Sequence, residues 1–129
     1  MLANIGFVEV FALIAILVGG GLSALALVSP DKASRIVRLI PEPAQREGRA
    51  ELRANYGGLF GGLHVFALIA LFASPQGAWA AAAVGAGWLG LGAVRFAFMR
   101  ADNAVTRYNV FGAAFELVMG FALFTPLLF

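Results

Sequence analysis

Cysteine is absent from this 129-residue chain, histidine occurs once, and Asp, Glu, Lys and Arg together make up only 12%. Without cysteine there is no disulfide, no iron–sulfur cluster and no thioether-attached haem. One histidine among scattered carboxylates is too few ligands for a metal site. A nucleophile motif, a glycine-rich phosphate loop and a basic stripe suited to nucleic acid are missing as well. So low a charge content, against roughly a quarter in soluble domains, together with 61% hydrophobic residues excludes an ordinary soluble domain.

What remains is long apolar runs. A bilayer core of about 30 Å takes roughly 20 apolar residues in helical form, and four segments qualify. The first runs from about Ile5 to Ser29, is interrupted only by Glu9 and stops at Pro30-Asp31. It lacks the basic start and the short apolar stretch of a cleaved signal peptide. Residues 54–94 carry no formal charge, too many for one crossing, and Ser74-Pro75-Gln76-Gly77 divides them with turn residues. That predicts helices over about 54–73 and 78–99. The last helix, about 105–128, carries Glu116 in its interior. The expected fold is all-α: one membrane domain, residues 1–129, forming a transmembrane four-helix bundle with up-down topology.

Orientation follows from the basic residues, which collect on cytoplasmic flanks. Lys32, Arg35, Arg38, Arg46, Arg49 and Arg53 lie in or beside the first connection, and Arg95, Arg100 and Arg107 surround the third. The opposite side has none. Both termini are therefore expected to face away from the cytoplasm. The 30–53 connection reads as a solvated cytoplasmic loop with positive flanks. Its alternative is a short amphipathic helix around Arg35 to Ile40, lying on anionic headgroups.

The interior is legible from spacing. In lipid no hydrophobic force draws helices together, so small residues that let backbones approach become a main source of association. Gly57 with Gly61, and Gly58 with Gly62, have the four-residue spacing for it. An ionisable group in a membrane is costly and is expected to face protein. Arg53, Gly57, Gly61, His64 and Leu68 share one face of the second helix, and Asn109, Gly112, Glu116 and Gly120 one face of the fourth. Glu9, Ile16, Gly20 and Ser23 do so on the first helix, and Gly85, Trp88, Gly92 and Arg95 on the third. Four small-and-polar stripes are thus expected to converge on a single interior.

Depth sorts these groups, at about 1.5 Å per residue. His64 and Glu116 lie roughly ten residues from the cytoplasmic ends of their helices and are expected to pair. Glu116 is expected to be protonated unless His64 or Arg95 reaches it. Nearer the cytoplasm Arg95 shares a layer with Tyr56 and Asn109, with Glu51, Arg53 and Asp102 at the rim. Glu9 sits apart, about one turn inside the far end, where it meets water.

The stretches "ELRANYGGLFGGL" (Glu51 to Leu63) and "VRFAFMRADN" (Val94 to Asn103), with a carboxylate in the last helix at Glu116, resemble a bacterial family known as Domain of Unknown Function 4345. The resemblance spans nearly the whole chain. It implies four membrane helices with Glu51, Arg53, Tyr56, Gly57, Gly58, Arg95, Asp102 and Glu116 in the family's polar positions. It departs at Val94 and at Asp102-Asn103, where the family often has a glycine before the arginine and an acidic-glycine pair after it. No activity follows from it.

Three functions compete. The first is an accessory or interaction subunit, a homo-oligomer or part of a larger membrane complex, held together by its polar interior and without catalytic residues, metal or cofactor. The second is a binder or transporter of a small amphipathic molecule (a lipid, quinone or pigment) near His64 and Trp88. The third is an intramembrane lipid-modifying enzyme using His64 and Glu116 as acid and base. Membrane lipids are partners in all three, and nucleic acid in none.

Overall fold

The computed structural model describes residues 6–43, 47–74 and 76–129. The expectations for Ile5, Arg46 and Pro75 fall outside the described residues. Within them the fold is all-helical. Five helices follow in order: α1 (Phe7–Val28), α2 (Pro30–Val37), α3 (Glu47–Ala73), α4 (Gly77–Phe98) and α5 (Arg107–Leu128). All but α2 are long and apolar enough to cross a membrane.

α1 packs on α3 and α5, and α4 packs on the same two, most extensively on α5. Thr125 Oγ1 in the last turns of α5 donates to the Val8 carbonyl at the start of α1 (3.0 Å), which marks the terminal end of the bundle. At the other end, Arg53 Nε donates to the Leu27 carbonyl (3.1 Å), and the Tyr108 hydroxyl donates to the Ile36 carbonyl. This is the basic end. The core between the ends is assembled from small and aliphatic residues, among them Ala15, Ile16, Ala67, Val84 and Leu123, with Trp88 and Met119.

The 30–53 connection is not the solvated loop that its charges imply. Ser29 breaks from α1 at φ −139° and ψ 67°, outside the helical region, and Pro30 starts α2 at its first position, where its fixed φ and missing N–H suit a helix. Asp31 in the first turn and Arg35 in the last complement the helix dipole. Ala33 is buried with Ala26 and Leu52, so α2 has a core to lie on, while Lys32 and Arg35 stay exposed. Arg38 ends it in the left-handed region at φ 56°. Because α2 rests on protein, it starts five residues before the amphipathic stretch around Arg35. The Arg49–Asp31 ion pair (2.9 Å) joins α2 to α3 but is exposed at both partners and contributes little.

α3 also begins earlier than its apolar run, at Glu47, since a helix need not stop where hydrophobicity does. Between Arg53 and Leu59 it widens into a π-helical turn. The pair Gly57-Gly58 falls there, and two adjacent glycines hold the α form weakly.

Glycines in the predicted stripes divide into packed and open. A methyl on Gly57 would meet Leu27 at 2.4 Å, and one on Gly61 would meet Ser23 at 3.3 Å, so both lie against α1. Gly85 and Gly120 face each other across the α4–α5 seam, each within about 3 Å of the other's carbonyl oxygen once a methyl is added. Gly58 and Gly62 pack against no neighbouring helix: a methyl at Gly58 meets only the Arg53 carbonyl at 3.8 Å, and one at Gly62 meets nothing within 4 Å. One residue further along the helix turns the side-chain direction by about 100°, so with the first pair on α1 the second pair points away from it.

This division predicts opposite outcomes for one chemical change. Gly85→Leu should destabilise by roughly 1–3 kcal/mol through overpacking against a backbone that cannot yield. Gly62→Leu should stay within about 0.5 kcal/mol of the parent. Unfolding in mild detergent, followed by helical circular dichroism, reads both; equal losses would refute the assignment.

Candidate functional site

Arg95 stands one turn from the C-terminal end of α4, and Glu116 stands in the middle of α5. Helical side chains lean towards the N-terminus of their own helix. Since α4 and α5 run in opposite directions, the two side chains lean towards one another and meet between their own Cα levels. Arg95 Nε donates to Glu116 Oε2 (2.9 Å) and Nη2 to Oε1 (2.6 Å), a two-pronged pair whose planar fork matches the carboxylate. Arg95 Nη1 donates to Asn109 Oδ1 (3.1 Å), and Asn109 is oriented in turn by donating its Nδ2 to the Ala104 carbonyl (2.8 Å). Gly112 borders the guanidinium: a methyl there would lie 3.4 Å from Arg95 Nε, in ordinary contact. The Glu116 side chain is nearly enclosed at 8% exposure, whereas that of Arg95 is 30% exposed.

A second layer lies about 10 Å away along α4, at Trp88, seven residues from Arg95. Trp88 Nε1 donates to His64 Nε2 (3.2 Å), and His64 Nδ1 lies 2.7 Å from the Phe60 carbonyl. An indole only donates and a carbonyl only accepts, so these contacts suit the imidazole tautomer with its hydrogen on Nδ1. The ring presses flat on α1, where a methyl on Gly19 would lie 2.0 Å from Nε2. Tyr56, Phe60 and His64 follow one another along α3 as a stacked series, and Trp88 sets its edge or face against Phe60, His64 and Phe115.

His64 and Glu116 are thus both buried, facing the interior, but they are not bonded to each other. Depth alone suggested the pair. α4 supplies a donor at each of two levels, and each donor takes one of them: Arg95 takes Glu116 and Trp88 takes His64. Of the two groups expected to reach Glu116, Arg95 does and His64 does not.

The remaining expected residues lie as follows. Asn109 joins the Arg95 layer, and Tyr56 lines the adjoining cavity within electrostatic range of Arg95 and Glu116. Arg53 is spent on the Leu27 carbonyl, and Glu51 accepts from Asn55 Nδ2 (3.1 Å). Asp102 is exposed in the connection between α4 and α5. Glu9 is at the terminal end, folded back over Gly6 at the start of α1, where negative charge meets the positive end of the helix. It belongs to neither layer.

Beside the two layers lies a cavity of about 570 Å³ between the second half of α1, α2 and the first half of α5. Its walls are mainly aliphatic and aromatic, with Trp88 and Phe60 at the back and Arg95, Glu116, Tyr56 and Tyr108 as its polar groups. Tyr108 was not singled out from sequence. Its signal was the spacing Tyr108, Gly112, Glu116, one residue per turn on one face. Arg38 sits 4.5 Å over the ring of Tyr108, holding α2 to α5. A second, shallower cavity of about 610 Å³ lies beyond Arg95, and Phe60, Leu91 and Arg95 line both.

Among the described residues no three of His, Asp and Glu gather as metal ligands. Compared with known proteins, the chain matches no protein-family model, no curated protein and no solved structure.

Removing one member of the buried pair leaves an uncompensated charge, so Glu116→Leu should cost about 3–5 kcal/mol. Combining it with Arg95→Met should restore most of that loss. A double-mutant cycle on the unfolding midpoint measures the coupling, and additive losses would show that the two side chains do not act as a unit.

Proposed function

We propose that the protein is a multi-pass membrane protein that binds one small amphipathic molecule in the cavity between α1, α2 and α5. The observation that carries this reading is the cavity: its size lies within the range of small-molecule sites, and it combines apolar walls with a few convergent polar groups. Exposed residues at its edge, Leu22, Phe111 and Phe115, lie on membrane-length helices, so a tail entering sideways would leave lipid without crossing water. The polar groups sit inside, where a headgroup would go.

The membrane placement belongs to the same proposal. Four membrane-length helices and the concentration of Lys and Arg at one end support an up-down bundle in a bacterial inner membrane, with the basic end cytoplasmic and both termini opposite. The likeness to Domain of Unknown Function 4345 fits this placement and adds no activity.

An accessory subunit, as a homo-oligomer or within a larger complex, is the second reading. Exposed apolar side chains such as Phe66, Phe96 and Phe121 favour it, but acyl chains cover such faces as well as a partner does. An acid–base enzyme loses its main support, because His64 and Glu116 each have another partner.

Purification in mild detergent, followed by organic extraction and mass spectrometry, tests the binding reading. About one small amphipathic molecule should be recovered per chain. Leu22→Trp, which narrows the lateral mouth, should lower that yield several-fold while the protein still elutes as a single species. An unchanged yield, or no bound molecule from the parent, would refute it.

A further inference from the structure

We infer that the headgroup recognised in this cavity is an uncharged, planar, carbonyl-bearing ring of the quinone class, carried on an apolar tail. The inference rests on the binding reading above and concerns only what lies at the polar end.

Charge decides against an anionic head. The guanidinium of Arg95 already faces the Glu116 carboxylate through two hydrogen bonds, so the pair presents no net charge to the cavity. An anionic head beside it would add a second negative charge next to the Glu116 carboxylate in a largely apolar cavity that opens towards lipid, where screening is weak. A cationic head would have to draw Glu116 from Arg95, yet that carboxylate is the less exposed of the two. Arg38 does not line the cavity and lies exposed over Tyr108.

Hydrogen bonding then decides for an acceptor. Guanidinium carries five N–H groups, and three of those on Arg95 are taken by Glu116 and Asn109. The others have no protein partner among the described residues. Tyr56 adds a hydroxyl beside them in the cavity lining. Both can donate to a neutral oxygen, and a carbonyl supplies one without bringing charge. The walls decide for a ring. Phe60, Trp88, Phe111, Phe115 and the two tyrosines line the space, and aromatic faces and edges pack a flat conjugated head better than a branched one.

The test uses tryptophan fluorescence, since the chain has two tryptophans and Trp79 lies outside the cavity lining. In a Trp79→Phe background the full-length protein in detergent is titrated with a decyl-substituted benzoquinone, with decyl phosphate and with decane. The quinone should quench Trp88 saturably and bind about ten-fold tighter than the other two. Tyr56→Phe, which keeps the ring, should weaken the quinone about five-fold and leave decane unchanged. Tighter binding of decyl phosphate, equal binding of decane, or indifference of the quinone to Tyr56→Phe would overturn the head assignment while leaving the cavity as a binding site. Failure of all three probes to bind saturably would overturn the cavity reading itself.

Discussion

Arg95 and Glu116 need each other because the carboxylate is nearly enclosed between membrane-length helices, and much of the bundle can be understood as what brings them within 2.9 Å. The approach requires α4 and α5 to lie close, which Gly85 and Gly120 permit at one level and Gly92 against the Ala113 carbonyl permits at another. The guanidinium also has an orienting acceptor, Asn109. A buried ion pair is weak evidence for stability, because well-packed apolar residues often replace one without loss. A pair built with this much supporting detail beside a cavity is better explained by the donors it leaves facing that cavity than by the energy of the pair itself.

The second layer does different work. His64 and Trp88 satisfy one another and the Phe60 carbonyl, leaving no ring nitrogen of His64 free, and the imidazole fills the hollow over Gly19. It is an internal tie among α1, α3 and α4. The π turn just before it sets the register of α3, so that Gly57 and Gly61 lie on α1 while Tyr56 and Phe60 line the cavity. A turn that departs from regular helix next to a cavity is a common place for function.

The four long helices were legible because lipid-length apolar runs admit few alternatives, and the inward facing of His64, Glu116, Arg95 and Asn109 followed from the cost of polar groups in hydrocarbon. The partners were not. Spacing along one helix gives depth and face, but not which neighbour stands opposite, and Trp88 was treated as a member of a stripe rather than as the donor that takes His64. The glycine pairs show the same limit: four-residue spacing says that two glycines share a face but not which face meets a neighbour, so Gly58 and Gly62 looked equivalent to Gly57 and Gly61. α2 was masked by its charges, because its stability comes from Ala33 resting on Ala26 and Leu52, one on the preceding helix and one on the following.

The cavity itself has a structural cause in how α1 and α5 are tied. At the terminal end they meet directly, through Thr125 and the Val8 carbonyl. At the basic end the tie passes through a third element, from Tyr108 on α5 to the Ile36 carbonyl on α2, which continues from α1 through Ser29. α2 is therefore a strut between the two helices. Inserting it keeps the second half of α1 and the first half of α5 apart, and the opened wedge is where Arg95, Tyr56 and the aromatic walls are accessible. Were α2 a disordered loop, α1 and α5 would be free to close along their whole length, as they do near Val8, and the polar layer would be sealed.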